Sequence, residues 1–261
     1  MIRINYDECV GCLRCTRVCI WTIIEARDGR PSVLEEKAVG CAKCMHCGIV
    51  CPEGAIEFDG APMMISEDKP LVSDTFAEDL ETFLLTRRSY RDFREEPVDP
   101  ELIRHALETA AWAPSAKNQH PAKYIVVQGR EKLKKLMDEI LAYLQETGQS
   151  PEVISVYARG NNMVLGKADT VILAYARDQA INPAADTALA LDYADLMLQS
   201  AGLGTCWAGY LTRFANTVPA LKEYFGIPEK YSFYGGLLVG WPSEEYLYIP
   251  ERVKRADIIM K

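Results

Sequence analysis

The chain has 261 residues, 49% of them hydrophobic, and a formal net charge of −8. That is enough apolar material for one large domain or two smaller ones, and the acidic balance argues against nucleic acid or an anionic membrane as a partner. No run of about 18 apolar residues occurs, so no spanning helix is expected. Residues 1–7 contain no apolar stretch ahead of a cleavage site, so no signal peptide is read and the cytosol is the expected compartment.

Eight of the nine cysteines fall between Cys9 and Cys51. Cys9, Cys12, Cys15 and Cys19 form a C-x2-C-x2-C-x3-C run that recurs 32 positions later as Cys41, Cys44, Cys47 and Cys51. Ile24 and Ile56 each stand five residues after the fourth thiol of their run, so the apolar positions repeat as well. Without an export signal, metal ligation explains this density better than disulfides do. Three thiols on one tight turn can cap three corners of an iron–sulfur cubane, and the fourth can leave the turn for a second cluster. Zinc in two four-cysteine sites is the competing reading, but such sites usually pair C-x2-C knuckles from separate segments. Gly11, Gly40 and Gly48 flank the turns, where backbone would crowd an inorganic core. Short β-like flanks at 2–4, 31–34 and 55–58 complete a small α+β unit over residues 1–60. So small a unit depends on ligation for its stability.

The doubled run resembles the two-cluster bacterial ferredoxins. That resemblance implies two [4Fe–4S] clusters, one held by Cys9, Cys12, Cys15 and Cys51 and the other by Cys41, Cys44, Cys47 and Cys19. Pro52 follows Cys51 as in that pattern, whereas Ile20 follows Cys19, a departure that leaves the ligand count intact. His46, between two thiols, reads as a surface residue.

Residues 61–79 turn to proline and acid and read as a linker or extended arm. A second domain then runs over 80–261. Helical spacing starts at Phe76 and continues to Arg88. Asp99-Pro100-Glu101 caps a helix expected to reach about Trp112. A strand is read at 124–128, an amphipathic helix at 131–147 with a solvated lysine face, a helix after Pro151, and a buried strand at 170–176. A helix at 183–199, apolar on most of its circumference, suits a central position. A short strand at 205–208, one helix over 211–225 and a strand at 233–239 complete the domain, which belongs to the α/β or α+β classes.

Arg87-Arg88-Ser89-Tyr90-Arg91 gathers three guanidinium groups where a helix ends, a cluster that repels itself unless an anion such as a phosphate monoester neutralises it. Pro114-Ser115-Ala116-Lys117-Asn118-Gln119-His120 is a small polar loop suited to hydrogen-bonding a heterocycle. Together with Gly202-Leu-Gly-Thr-Cys-Trp-Ala-Gly209 and a closing basic stretch after Gly240-Trp-Pro242, these motifs resemble the nitroreductase family of FMN enzymes over about residues 80–261. The resemblance implies an α+β fold, an intertwined homodimer and FMN at the interface. It assigns Arg87, Arg88, Ser89 and Arg91 to the phosphate, ribityl chain and pyrimidine edge. Pro114, Ser115 and Asn118 would line the flavin, partly from the partner chain, and Asn161 would approach the ring. The Trp207-Ala208-Gly209 backbone would face the flavin, and Arg252 and Lys254, with Arg255 as a substitute, would hold the phosphate. His120 stands where the family usually has glutamine. Cys206 reads as a buried small hydrophobe. No catalytic residue is assigned, because the flavin carries the redox chemistry.

The expected function is an oxidoreductase in which the clusters pass electrons to FMN, which reduces a small-molecule acceptor such as a nitroaromatic or quinone. The expected donor is an external ferredoxin or an NAD(P)H-linked reductase. An electron-transfer subunit of a larger redox complex, or another FMN reduction such as dehalogenation or reduction of an activated alkene, are the alternatives.

Overall fold

The computed structural model describes residues 1–63, 72–250 and 258–261, with backbone alone for 61 and 62. The chain divides into two compact units: Met1–Ser73 together with Lys117–Gln119, and Asp74–Ala116 with His120–Lys261.

In the first unit, β1 (Ile2–Ile4) is followed by α1 (Arg14–Val18), β2 (Ile24–Arg27), β3 (Arg30–Val33), α2 (Glu35–Ala38), α3 (His46–Ile49), β4 (Ile56–Phe58) and β5 (Ala61–Pro62). β4 lies antiparallel between β1 and β5, and β2 and β3 form a separate hairpin. Ile2, Ile23, Ile24, Ala38, Ile56 and Cys15 are buried together, with Cys19, Cys41, Cys47 and Cys51 packed against them. The thiols are therefore part of the core, which contains few other large side chains.

The 32-residue repeat is one of conformation as well as of sequence. Left-handed backbone recurs in register at Gly11 and Lys43 (φ 69° and 52°), Leu13 and Met45 (59° and 60°), Thr22 and Gly54 (49° and 62°), and Asp28 and Gly60 (49° and 83°). Leu13 and Met45 immediately precede α1 and α3. After each fourth thiol the same contact forms: Ile23 N–H donates to Cys19 Sγ at 3.4 Å, and Ala55 N–H donates to Cys51 Sγ at 3.3 Å. A non-glycine residue in this region costs on the order of 1–3 kcal/mol, and β-branched Thr22 is an especially unfavourable occupant.

The second unit comprises α4 (Phe76–Thr86), α5 (Pro100–Thr109), β6 (Lys123–Gln128), α6 (Arg130–Thr147), α7 (Pro151–Ala158), β7 (Thr170–Arg177), α8 (Pro183–Ser200), β8 (Gly204–Trp207), α9 (Gly209–Thr217), α10 (Pro219–Phe225) and β9 (Tyr231–Gly240). Its sheet has the order β6-β7-β9-β8 and every pairing is antiparallel, which makes the unit α+β. Alternation along β7 divides the core. Val171 and Leu173 pack with residues of α6, α9 and α10, whereas Ile172 and Ala174 pack with residues of α5 and α8. Helices thus cover both faces of the sheet, as the continuous apolar run of β7 requires.

Several boundaries differ from the sequence reading. The helix expected over 211–225 is two helices, because Pro219 holds Val218 extended (φ −78°, ψ 118°). α5 ends at Thr109 and tightens into a 3-10 turn, Ala110–Trp112, although Asp99 caps it as expected, accepting from Glu101 N–H at 2.9 Å. In the stretch read as a linker, Ala61–Pro62 pairs with β4 and α4 has begun by Phe76; residues 64–71 lie outside the described residues. The strand at β2 was not anticipated.

Gly236 marks the tightest contact between the two central strands. A Cβ there would lie 2.6 Å from Ile172 O, a backbone atom that cannot swing aside. Gly236→Ala is therefore expected to destabilise the second unit by about 1–3 kcal/mol, read as a lowered midpoint in thermal or urea unfolding. An unchanged midpoint would contradict this packing.

Candidate functional site

α4 stops at Thr86, and the chain turns extended at Arg87 (φ −54°, ψ 134°). Ser89 then forms a parallel bridge with Thr205 of β8, and Tyr90 N–H donates to Thr205 O at 2.8 Å. Gly204 makes this approach possible, since a Cβ there would fall 2.8 Å from the Tyr90 ring. The arginine-rich segment is thereby laid along the free edge of the sheet. Beside it opens a cleft of about 620 Å³, lined among others by Arg87, Ser89, Leu189, Asp192, Asp195 and Trp207.

The polar wall of the cleft is a buried network. Asp195, only 8% exposed, faces Arg87 with Oδ2 and Nη1 3.5 Å apart. The Thr205 hydroxyl donates to Asp195, and Gln199 Nε2 donates to Thr205 Oγ1 at 2.7 Å and to Asp195 at 3.2 Å. Burial, with Asp195 adding, pushes the Asp192 carboxyl up from its ordinary range, against the pull of Arg87. Arg88 and Arg91 are differently placed. Arg88 Nη1 donates to Leu85 O and Arg87 O at 2.7 Å each, and Arg91 Nη1 donates to Ser89 O at 3.4 Å. Among the described residues neither forms an ion pair with a carboxylate.

Trp207, Ala208 and Gly209 occupy the passage from β8 into α9. The Trp207 ring lies over Gly235, where a Cβ would meet it at 2.5 Å, and is half exposed to the cleft. Ala208 is buried and its N–H donates to Gly236 O at 2.8 Å, so that amide is already committed. Cys206 is buried as expected, and burial pushes its thiol up.

Among the described residues of the second unit, Pro114, Ser115 and Asn161 are not in the cleft lining given above. Pro114 is exposed. Ser115 Oγ accepts from His120 N–H at 3.0 Å, and Ala116 N–H donates to Asp186 Oδ1 at 2.9 Å, pinning the loop to the first turn of α8. Asn118 groups with the first unit, where its Nδ2 donates to Ala42 O at 3.3 Å and Lys43 O at 3.2 Å, both in the second cysteine run. Asn161, just past α7, is exposed and its N–H donates to Val156 O at 3.2 Å. Arg252, Lys254 and Arg255 lie outside the described residues. Asp192 and Asp195 were missed by the sequence reading; acids on the cleft side of a helix otherwise rich in alanine and leucine were the available signal.

In the first unit Cys9, Cys12, Cys15 and Cys51 line one small cavity together with Ile4, Val10 and other apolar residues. The thiols fall into two groups. Burial pushes the Cys15 thiol up, and nearby Cys51 and Cys9 add to the effect. Burial likewise pushes Cys47 up to about 11, with Cys41, Cys44 and Cys19 adding. Among the described residues no three His, Cys, Asp or Glu side chains gather tightly enough for a single metal ion.

A family model described as the nitroreductase family matches residues 84–241. A relative from Archaeoglobus fulgidus, provisionally named NADH dehydrogenase/NAD(P)H nitroreductase, is 31% identical over 162 residues, which are 62% of this chain and 84% of that protein. The 5,6-dimethylbenzimidazole synthase of Rhodospirillum rubrum is 26% identical over 196 residues, covering 70% of this chain and 90% of its own. Among solved structures, a nitroreductase with bound FMN from Desulfitobacterium hafniense is 25% identical with a TM-score of 0.57, covering 69% of this chain and 97% of that one. The chain thus belongs to the nitroreductase family.

Proposed function

We propose that the chain is an FMN-dependent oxidoreductase whose first unit carries two [4Fe–4S] clusters that supply electrons to the flavin, and that the flavin reduces an organic acceptor such as a nitroaromatic or quinone. Family membership supports the flavin half of this reading. The observation that carries the cluster half is the register of left-handed backbone, repeated at four pairs of positions 32 residues apart around the two cysteine runs. Alternation of left- and right-handed residues turns successive N–H groups toward one point and makes a concavity for an anionic centre, as at many iron–sulfur sites. The thiols also sort into Cys9, Cys15 and Cys51 and into Cys19, Cys41, Cys44 and Cys47, with Cys12 beside the first group. A cubane is wider than an ion, so its ligands stand farther apart than a zinc site allows. The absence of a single-ion site among the described residues fits that geometry.

FMN, when bound, takes up electrons singly or in pairs and delivers them to the acceptor. The residues that would hold it are Arg87, Arg88, Ser89 and Arg91 at the end of α4, where two guanidinium groups form no ion pair with a carboxylate among the described residues and match the forked geometry of a phosphate. Trp207 would wall the ring site. Asp195 fixes Arg87 from behind, and Thr205 and Gln199 fix Asp195. Pro114, Ser115 and Asn161 would reach the flavin from a partner chain, Arg252 and Lys254 would hold the phosphate, and Asn118 would serve the cysteine turn.

A homodimer fits the exposed apolar surface. α4 buries none of its residues, leaving Phe76, Leu80 and Leu84 exposed, and Leu247, Tyr248 and Ile259 are exposed near the C-terminus. Patches of this kind mark interaction surfaces. Experiment assigns the donor: the name of the Archaeoglobus relative points to NAD(P)H, and the cysteine runs point to a one-electron carrier. Anaerobic reduction with ferredoxin or with NADPH, followed by flavin bleaching, distinguishes them. The cluster route requires the faster bleaching with ferredoxin.

Cys44→Ala is expected to lower iron per chain by about half, since one of two clusters is lost, while FMN content stays the same. Arg88→Ala or Arg91→Ala is expected to weaken FMN by about 10- to 100-fold, the worth of one charge-assisted hydrogen bond, with iron unchanged; fluorescence quenching and iron analysis read the two. Equal loss of both cofactors in both variants would rule out separate sites. Asp195→Ala strands the Thr205 and Gln199 donors and should cost about 1–3 kcal/mol in urea unfolding.

A further inference from the structure

The first cysteine run carries arginine and no acid. Between Cys9 and Ile24 the charged residues are Arg14 and Arg17 alone. Both are exposed on α1, and Arg17 Nη1 reaches back to Cys12 O at 3.5 Å. Arg30 joins them from the β2–β3 hairpin: its Cγ lies 4.0 Å from where a Cβ on Gly11 would stand. Asp7, Glu8 and Asp28 are near in sequence, yet among the described residues no ion pair engages any of the three arginines. At the centre of this basic rim sit Cys12, the exposed member of the eight thiols, and Val10, 63% exposed. Three uncompensated cations are out of keeping with a chain of net charge −8.

We propose that this face, Val10 and Cys12 ringed by Arg14, Arg17 and Arg30, is the docking surface for an acidic one-electron carrier protein. The inference rests on the cluster reading and names the entry point for electrons within it. An apolar centre with a charged rim suits a brief encounter: electron-transfer interfaces are small, and opposite charge raises the rate of encounter more than the lifetime of the complex. Each encounter delivers one electron, oxidising the carrier by one and reducing the centre at Cys9, Cys12, Cys15 and Cys51 by one, with no bond made or broken. The plainer alternative is that the arginines only balance the charge of four thiolates. That role would alter the potential of the centre but would leave binding of a carrier, and its dependence on salt, unchanged.

The test uses the full chain, its iron restored anaerobically, and a plant-type ferredoxin as the acidic probe. Stopped-flow mixing with the photoreduced ferredoxin gives the second-order rate constant, and isothermal titration with the oxidised ferredoxin gives binding independently of turnover. The triple change Arg14→Glu, Arg17→Glu, Arg30→Glu is expected to lower the rate constant about tenfold or more at low salt and to abolish its fall with rising salt. Binding should weaken alongside, and iron per chain should stay constant. Arg17→Glu alone, a single exposed site, keeps the test valid if the triple variant loses iron, and a smaller loss in the same direction is expected. An iron-replete variant with the original rate, binding and salt dependence overturns the docking surface alone. An unaltered chain that takes up no iron overturns the cluster reading and this inference with it.

Discussion

Thr205 is the point through which the second unit organises its site. It is fully buried, and its carbonyl and its hydroxyl hold two other segments. Its carbonyl takes the Tyr90 amide, its hydroxyl donates to Asp195, and its oxygen accepts from Gln199. β8, the central helix α8 and the arginine segment after α4 are thereby fixed to one another. A buried hydroxyl without partners is costly, but one with its hydrogen bonds satisfied gives a fixed geometry. The glycines around it serve the same close approach: Gly204 admits the Tyr90 ring and Gly235 admits the Trp207 ring.

The first unit is held by a different constraint. Its core has few large side chains, and four of the eight clustered thiols pack against it. Non-glycine residues occupy left-handed backbone at Leu13, Thr22, Asp28, Lys43 and Met45. No side-chain hydrogen bond caps α1 or α3. A fold with so little burial and so much local strain gains from a further source of stability, which on the proposed reading is ligation by deprotonated thiols. Burial pushes the Cys47 thiol up to about 11, so without a ligand that sulfur stays protonated and neutral.

Much of this was legible from residue pattern. The doubled spacing announced two equivalent turns because a turn that brings three thiols to one point has few backbone solutions. β7 was legible because a strand covered on both faces is apolar throughout, and α5 because Asp99 and Pro100 are physically suited to a helix start. Other features were not legible for equally physical reasons. The break at Pro219 was masked by apolar spacing that continues in phase through α9 and α10. Asp195 looked like a helical surface position, since its burial depends on β8 folding across α8. Asn118 has the same residue type whether it faces a flavin or the carbonyls of Ala42 and Lys43, and sequence spacing does not decide between two acceptors.

The two units differ in what their stability depends on, and this bears on how a loaded enzyme assembles. The second unit has buried side chains on both faces of its sheet, so it can fold before FMN arrives, and the flavin then gains a site already shaped by Thr205 and Asp195. Binding to a preformed site adds stability by mass action without altering the fold. In the first unit, on the proposed reading, each bound cluster stabilises a cysteine run whose left-handed backbone is otherwise strained. Loss of iron should therefore reach the structure of the first unit directly, whereas loss of FMN leaves the sheet and its helices intact. On that reading the contrast follows from core size and torsion.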